Sequence, residues 1–139
     1  MSVLKGGLLA AIFVAQLVGS TLIGWTQTSQ SLQSRIPKPD PKQYHAVRDA
    51  KDWKNPYLIV RRDGIEIVGM TAVGQAIPVD SVPGVLKGLP DSAWPYGLVV
   101  AVQNIGIVSP GDPPRIAANR KKLITLLQKL GVAVDLWPA

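Results

Sequence analysis

The residue types that carry out most protein chemistry are sparse and widely separated in this chain of 139 residues. His45 is the only histidine, no cysteine is present, and the nine Asp and Glu residues stand singly. A serine nucleophile needs a histidine base, acid–base catalysis needs paired titratable groups, and zinc sites need several His or Cys ligands. No glycine-rich segment has a phosphate-binding pattern either. The sequence therefore predicts no catalytic, cofactor-binding or metal site, and it predicts that the protein is not an enzyme.

Positive charge is the chemical feature that does cluster. The chain has 15 Lys and Arg against nine Asp and Glu, a net charge of +6, and one predicted helix carries five of the cations. Such a surface suits anionic lipid, nucleic acid or an acidic protein. Nucleic acid is disfavoured because no aromatic residues for base stacking lie between the cations. We favour the simpler interpretation, a solvated face of an amphipathic helix, for this basic surface of Arg115, Arg120, Lys121, Lys122 and Lys129.

The shortage of charge elsewhere comes largely from one segment near the amino terminus. Charged residues make up only 17% of the chain, and residues 6–34 contain none. At about 1.5 Å per residue, a helix from Gly6 to Trp25 would cross the roughly 30 Å hydrocarbon core of a bilayer. We therefore predict a short tail at 1–5 and a transmembrane helix at 6–25. The alternative is a cleaved signal peptide, which we disfavour because the apolar run exceeds the usual length of about 7–15 residues.

Small residues recur at every fourth position of this predicted helix. That spacing places them on one ridge, where a second helix can approach closely. Because glycine and alanine are frequent in membrane helices, such a ridge can also arise by chance. A pigment or a lipid is a less favoured occupant of the same surface. We predict packing against helices of membrane-protein partners, with membrane lipid around the rest of the span, through Gly7, Ala11, Ala15 and Gly19.

The charges around this segment leave its orientation open. Lys5 precedes it, whereas Arg35, Lys38 and Lys42 follow it, and this count favours a cytoplasmic carboxy-terminal side. Long domains, however, translocate largely regardless of charge. Residues 26–55 are predicted to be a polar, Pro-rich linker, because prolines 37, 39 and 41 favour an extended spacer, with a short helix from Asp40 towards Asp52.

Residues 56–139 are predicted to form a small α+β domain. Two β-rich runs flank Asp63-Gly64, which indicates a hairpin with Arg61 opposite Glu66. A short helix at about 82–89, a doubly buried strand at 98–103, a long helix from Asp112 to Gly131 and a last strand at 132–137 follow. The predicted architecture is a small sheet, a hairpin plus two parallel strands, covered on one face by two helices.

The order of these elements resembles the ExbD/TolR family of biopolymer-transport proteins. The resemblance rests on one membrane helix, a Pro-rich linker, YLIVRRDGIEI, a helix ending in Leu-Pro, LVVAVQ and a basic helix closing in LGVAVDLW. It implies a periplasmic domain that pairs with a second copy or with the cell wall, beside multi-helix membrane partners. Proton-driven members carry an aspartate in the membrane helix, and this segment has no ionisable residue. A motor function is therefore not expected.

Together these patterns lead to one leading hypothesis. The chain is expected to be a non-catalytic, single-pass inner-membrane protein with a periplasmic domain, acting as an accessory or scaffolding subunit of a larger complex. A respiratory or photosynthetic complex, which transduces energy, is one plausible host. The alternative is an ExbD/TolR-like periplasmic or cell-wall binding module that works as a homodimer. A third, weaker hypothesis is a cytoplasm-facing domain that binds anionic surfaces through its basic helix.

Overall fold

A four-stranded mixed sheet lies at the centre of residues 31–139, the part of the chain that this computed structural model describes. The spatial order of the strands is β2-β1-β3-β4. β1 runs antiparallel to β2 and parallel to β3, and β3 runs parallel to β4. The strands are β1 (Tyr57–Arg61), β2 (Gly64–Ile67), β3 (Val99–Asn104) and β4 (Ala133–Trp137).

The hairpin of β1 and β2 is confirmed, but its register differs from the predicted one. Arg61 pairs with Gly64 and not with Glu66, so residues 62 and 63 form the turn. Gly64 has φ +146°, and a Cβ there would lie 2.1 Å from the carbonyl oxygen of Ile77. Both the positive φ and the close approach of another segment therefore require glycine at this position.

The helices of the described residues are α1 (Leu32–Arg35), α2 (Val82–Lys87) and α3 (Asp112–Leu130). Prolines near the start of α2 and α3 suit the first helical turn, where a backbone N–H has no partner in the helix. Gly131, with φ +74°, ends α3 in the left-handed conformation that glycine adopts at little cost. The predicted short and long helices are confirmed within one or two residues.

One face of the sheet, here called the helical face, packs against α2 and α3. Strand residues such as Leu58, Val60 and Val102 meet Leu86 from α2 and Leu127 from α3, and all five are at most 1% exposed. The alternation of the strands and the 3.6-residue period of the helices bring these side chains together. At about 1.5–3 kcal/mol for each fully buried large aliphatic side chain, this core dominates the folding free energy.

The opposite face, here called the aromatic face, is covered by residues 44–55, the later part of the segment that the sequence predicted to be a linker. Residues 31–55 belong to the same compact unit as the sheet, so the predicted domain boundary at residue 56 needs correction. Leu32 and Ile36 are buried in the core of the helical face, and the N–H of Leu98 donates to the carbonyl of Pro37 at 2.9 Å. The prolines give an extended chain that packs on the domain and not a spacer.

The predicted helix between Asp40 and Asp52 is also replaced by something different. Two single 3₁₀ turns form, at Pro41–Gln43 and Ala50–Asp52, and each is capped by an aspartate carboxylate, from Asp40 and Asp49. A segment this short gains little from helical hydrogen bonds, whereas its aromatic side chains gain burial against the sheet. The described chain is thus an α+β domain with material on both faces of its sheet.

Candidate functional site

All five residues of the predicted basic surface are exposed on α3. Arg115, Lys122 and Lys129 recur every seven residues, nearly two helical turns, so they lie in one row along the helix. Lys122 Nζ lies 2.9 Å from Asp80 Oδ2, and this ion pair neutralises the middle of the row. No carboxylate of the described residues lies within 4.0 Å of the other four cations.

A shallow depression lies between three of these lysines. Its volume is about 530 Å³, and Ala118, Thr125 and Leu126 line it together with Lys121, Lys122 and Lys129. Leu126 is partly exposed, so apolar surface lies directly beside ammonium groups. Lysine stems commonly cover such surface while the charged ends remain in water. The arrangement suits a flexible anionic partner better than a bound metal or a reacting group.

A second opening lies beside α3, where the parallel strands β3 and β4 end. It has a volume of about 570 Å³ and a mostly apolar lining, which includes Ile105, Val108 and Ile124. Arg120 and Lys121 line it as well, and Asn104 Oδ1 is buried without a hydrogen-bond partner. Clefts at the carboxyl ends of parallel strands are frequent binding sites in α/β sheets. No local sequence pattern indicates this cleft, because its lining comes from three separate segments.

The two edge strands of the sheet differ in whether their outer backbone groups are hydrogen-bonded to other described segments. At the β2 edge, Ile65 and Ile77 exchange two backbone hydrogen bonds of 2.9 Å each, which covers part of that edge. β4 pairs only with β3, and no other described strand pairs with it. Because the N–H of Ala133 donates to Leu98 on the β3 side, the backbone groups of Val134 and Leu136 point outward. Leu136 is 55% exposed. Within residues 31–139, strand β4 therefore presents an open edge.

The aromatic face supplies the shifted titratable groups of the described chain, and both are tyrosines. Burial raises the pKa of Tyr57 above its ordinary value of 10.0. Burial, followed by the negative charges of Asp135 and Asp40, raises the pKa of Tyr44 in the same direction. The Tyr57 hydroxyl donates to the Gln103 side chain. In both cases burial disfavours the charged phenolate, as expected for rings that pack in the interior.

The single histidine is exposed, with Nδ1 2.8 Å from the carbonyl oxygen of Pro41. Within residues 31–139, no three His, Cys, Asp or Glu side chains converge in a way that could hold a metal ion. Glu66, 8% exposed, is balanced by the guanidinium of Arg61 at 3.2 Å, so the predicted ion pair forms across a diagonal of the hairpin. The Glu66 carboxylate therefore stabilises the hairpin through its ion pair with Arg61.

The predicted transmembrane helix at 6–25 and its packing residues Gly7, Ala11, Ala15 and Gly19 lie outside the described residues. Among residues 31–139, no helix has both the length and the apolar character needed to cross a membrane. Comparison with known proteins found no matching family model, no matching curated protein and no matching solved structure.

Proposed function

We propose that this chain is a non-catalytic, single-pass membrane protein that acts as an accessory or scaffolding subunit of a larger membrane complex. In this proposal residues 6–25 anchor the chain in the cell inner membrane and pack on partner helices. The domain of residues 31–139 lies on the periplasmic side and contacts the same partner. An energy-transducing complex, respiratory or photosynthetic, is the host that we would examine first.

The open edge of β4 is the observation that carries the proposal. An unpaired strand edge presents backbone donors and acceptors that a strand from another chain can satisfy. Natural domains commonly protect such edges, and part of the β2 edge is covered in this way by the chain around Ile77. The exposed side chain of Leu136 adds apolar contact area beside the free backbone groups. A domain that works by protein contact would retain an edge of this kind.

The alternative function, an ExbD/TolR-like homodimeric module, draws on the same edge. A twofold dimer would pair β4 with β4 of a second copy in antiparallel orientation. The register that pairs all five strand residues sets Asp135 directly opposite its own copy, and like charges in that position repel. A partner strand with a basic residue at this position avoids the repulsion. The charge of Asp135 therefore favours a different protein as the partner.

Variants at position 136 test this proposal in the full-length chain. Leu136→Pro removes the outward N–H donor and the leucine side chain, whereas Leu136→Ala removes the side chain alone. We expect mild-detergent purification from native membranes to recover a stoichiometric partner with the unaltered chain. Leu136→Ala should retain most of that partner and Leu136→Pro should lose it, with the domain still folded by circular dichroism. Equal recovery of the partner by both variants would show that the β4 edge is not part of the interface.

The proposed membrane contact has a separate test. Leucine at positions 7, 15 and 19 would enlarge the small-residue ridge and block close approach of a partner helix. Leucine at Gly6, Ala10 and Gly24, which would lie on the other side of the same helix, serves as the matched control off the ridge. Loss of the partner only in the first triple variant supports the scaffolding role. A lone monomer that none of these variants alters would refute the proposal, and a self-crosslinked pair would favour the homodimer.

A further inference from the structure

The distance between the proposed anchor and the folded domain is set by a short stretch of chain. The anchor ends at Trp25, and the first buried residue of the domain is Leu32, 1% exposed. Seven residue steps, at no more than about 3.6 Å each, allow a separation of at most about 25 Å. Because residues 31–55 pack on the domain, they cannot extend this reach. A domain so tethered stays near the lipid headgroups.

The point where the tether enters the domain lies beside the last turn of α3. The Gln33 side chain covers Gly131, and a Cβ added to that glycine would lie 1.6 Å from Gln33 Nε2. Lys129 is two residues before this glycine. At about 1.5 Å per residue, α3 then carries its cations away from the entry point over some 20 Å, as far as Arg115.

The charge on this helix is largely uncompensated and is concentrated on one element, whereas the other unpaired cations of the described residues are scattered over several segments. Arg35 and Arg61 each lie within 3.2 Å of a carboxylate oxygen. Of the five cations on α3, only Lys122 has such a partner, Asp80. Asp112, the one carboxylate on α3 itself, has its Oδ1 3.5 Å from Nη1 of Arg62. Four positive charges on one helix therefore face solvent without a protein counter-charge within 4.0 Å among the described residues.

We propose that the basic face of α3, formed by Arg115, Lys121 and Lys129 on the side opposite the buried residues, contacts the anionic lipid headgroups of the membrane that holds the anchor. This inference rests on the proposed function, because the short tether matters only if residues 6–25 span a bilayer. Charge complementarity and tether length both favour a lipid surface over a soluble acidic partner. Lipid contact would fix the rotation of the domain and leave the β4 edge in a constant orientation for its partner.

The absence of cysteine makes a direct test possible in the full chain. Ala118→Cys introduces a single labelling site on the exposed basic face, and Ala46→Cys introduces a matched one in the segment that covers the aromatic face. Each variant would carry a fluorophore and be inserted into nanodiscs that contain a headgroup-spin-labelled quencher lipid. One set of discs contains phosphatidylcholine alone, and the other contains about one-third phosphatidylglycerol.

We expect the anionic discs to quench the label at position 118 at least twofold more than the neutral discs, and to leave the label at position 46 unchanged. The difference should disappear in about 1 M salt, where the screening length falls to about 3 Å. Lys121→Glu with Lys129→Glu should abolish it, since each lost cation shifts a docking equilibrium roughly fivefold. Arg48→Glu with Lys54→Glu, an equal change in charge at exposed cations on the other side of the sheet, should not.

The possible failures are distinguishable. If the chain does not co-elute with the discs, the anchor is refuted and the lipid contact with it. If the chain co-elutes but anionic lipid leaves the label at 118 unquenched, the lipid contact alone is refuted and the scaffolding role stands. Equal quenching at 118 and 46 would also overturn the proposal, because it would indicate tumbling without a preferred face.

Discussion

The two faces of the central sheet are buried by different means. The helical face is covered by two helices whose aliphatic side chains recur with the helical period, and it forms the larger of two apolar clusters. The aromatic face is covered by an irregular segment and is filled by rings, with Trp53 within 5.7 Å, centroid to centroid, of three others. A segment rich in proline and polar residues can therefore be an integral layer of a fold when a few of its side chains are large and aromatic.

Removal of one large side chain from each face gives the largest expected effects. Trp53→Ala should lower the free energy of unfolding by about 3–5 kcal/mol, because it empties the centre of the aromatic cluster. Leu127→Ala should lower it by about 2–5 kcal/mol through a cavity under α3. Urea unfolding of the full chain in detergent, followed by far-ultraviolet circular dichroism, measures both. Comparable losses would establish residues 44–55 as a structural layer.

A small loss for Trp53→Ala, below about 1 kcal/mol, would instead mean that the segment is a detachable cover. The two faces would then differ in stability and not only in composition. Tyr96→Ala distinguishes a local defect from detachment, because Tyr96 lies in the loop before β3, outside the covering segment, and its ring packs at 5.0 Å from Trp53. Comparable losses for the two single variants, without further loss in the double variant, would indicate one cooperative cluster.

The helical face could be read from the sequence because its elements are periodic. The spacing of Ile116, Leu123 and Leu127 predicts which residues of α3 face the sheet, whatever the details of the loops. The aromatic face could not be read in this way. Tyr44, Trp53 and Tyr96 are far apart in the chain and follow no period, and only tertiary contacts bring them together. The alternate prolines did not predict that this segment packs on the sheet or that Pro41 begins a 3₁₀ turn.

The candidate functional surfaces likewise include one part that the sequence predicts and one part that it does not. The basic residues of α3 and their exposure follow from helical spacing, and the structure has them where the sequence predicts. The open edge of β4 depends on strand order, which the sequence does not encode locally. The hairpin register was predicted two residues away from the observed one, because the close approach of the chain near Ile77, and not the Asp63-Gly64 pair alone, determines the position of Gly64.

Two asparagines, one near each face of the sheet, allow a further comparison in which the expected changes in stability are smaller. Asn55, 6% exposed, donates to the carbonyls of Gly97 and Val99 and accepts from the N–H of Tyr96. Asn119 on α3 donates to the carbonyls of Arg61 and Arg62 at the more exposed hairpin end. Both side chains therefore link separate backbone segments, but only the first does so away from water.

Asn55→Ala should cost about 3 kcal/mol of unfolding free energy, because buried backbone groups lose their partners. Asn119→Ala should cost about 1 kcal/mol or less, since water can reach the freed carbonyls. The same urea titrations measure both values. A reversed order would show that the hairpin end, and not the covering segment, is the more vulnerable part of the fold.

Alkaline pH provides the subtlest comparison, because the shifted tyrosines lie on the aromatic face. Burial raises the pKa of Tyr57 above 10.0 in the folded protein, so the unfolded chain releases this proton first as the pH rises. The folded state then binds more protons than the unfolded state, and stability falls with increasing pH from about pH 10 upward. Below that pH the contribution of the neutral phenol is fully present. Tyr57→Phe should therefore flatten the decline of the unfolding free energy between about pH 9 and pH 11.

Leu127→Ala serves as the control for this pH dependence, because it should lower stability equally at every pH and leave the slope unchanged. Tyr44→Phe should flatten the curve as well, and Asp135→Asn should reduce the effect of Tyr44 by removing a negative charge that raises its pKa. If Tyr57→Phe left the slope as steep as in the unaltered chain, the phenol would titrate as it does in water. The aromatic face would then admit solvent that the helical face excludes, and the covering segment would be the looser of the two layers.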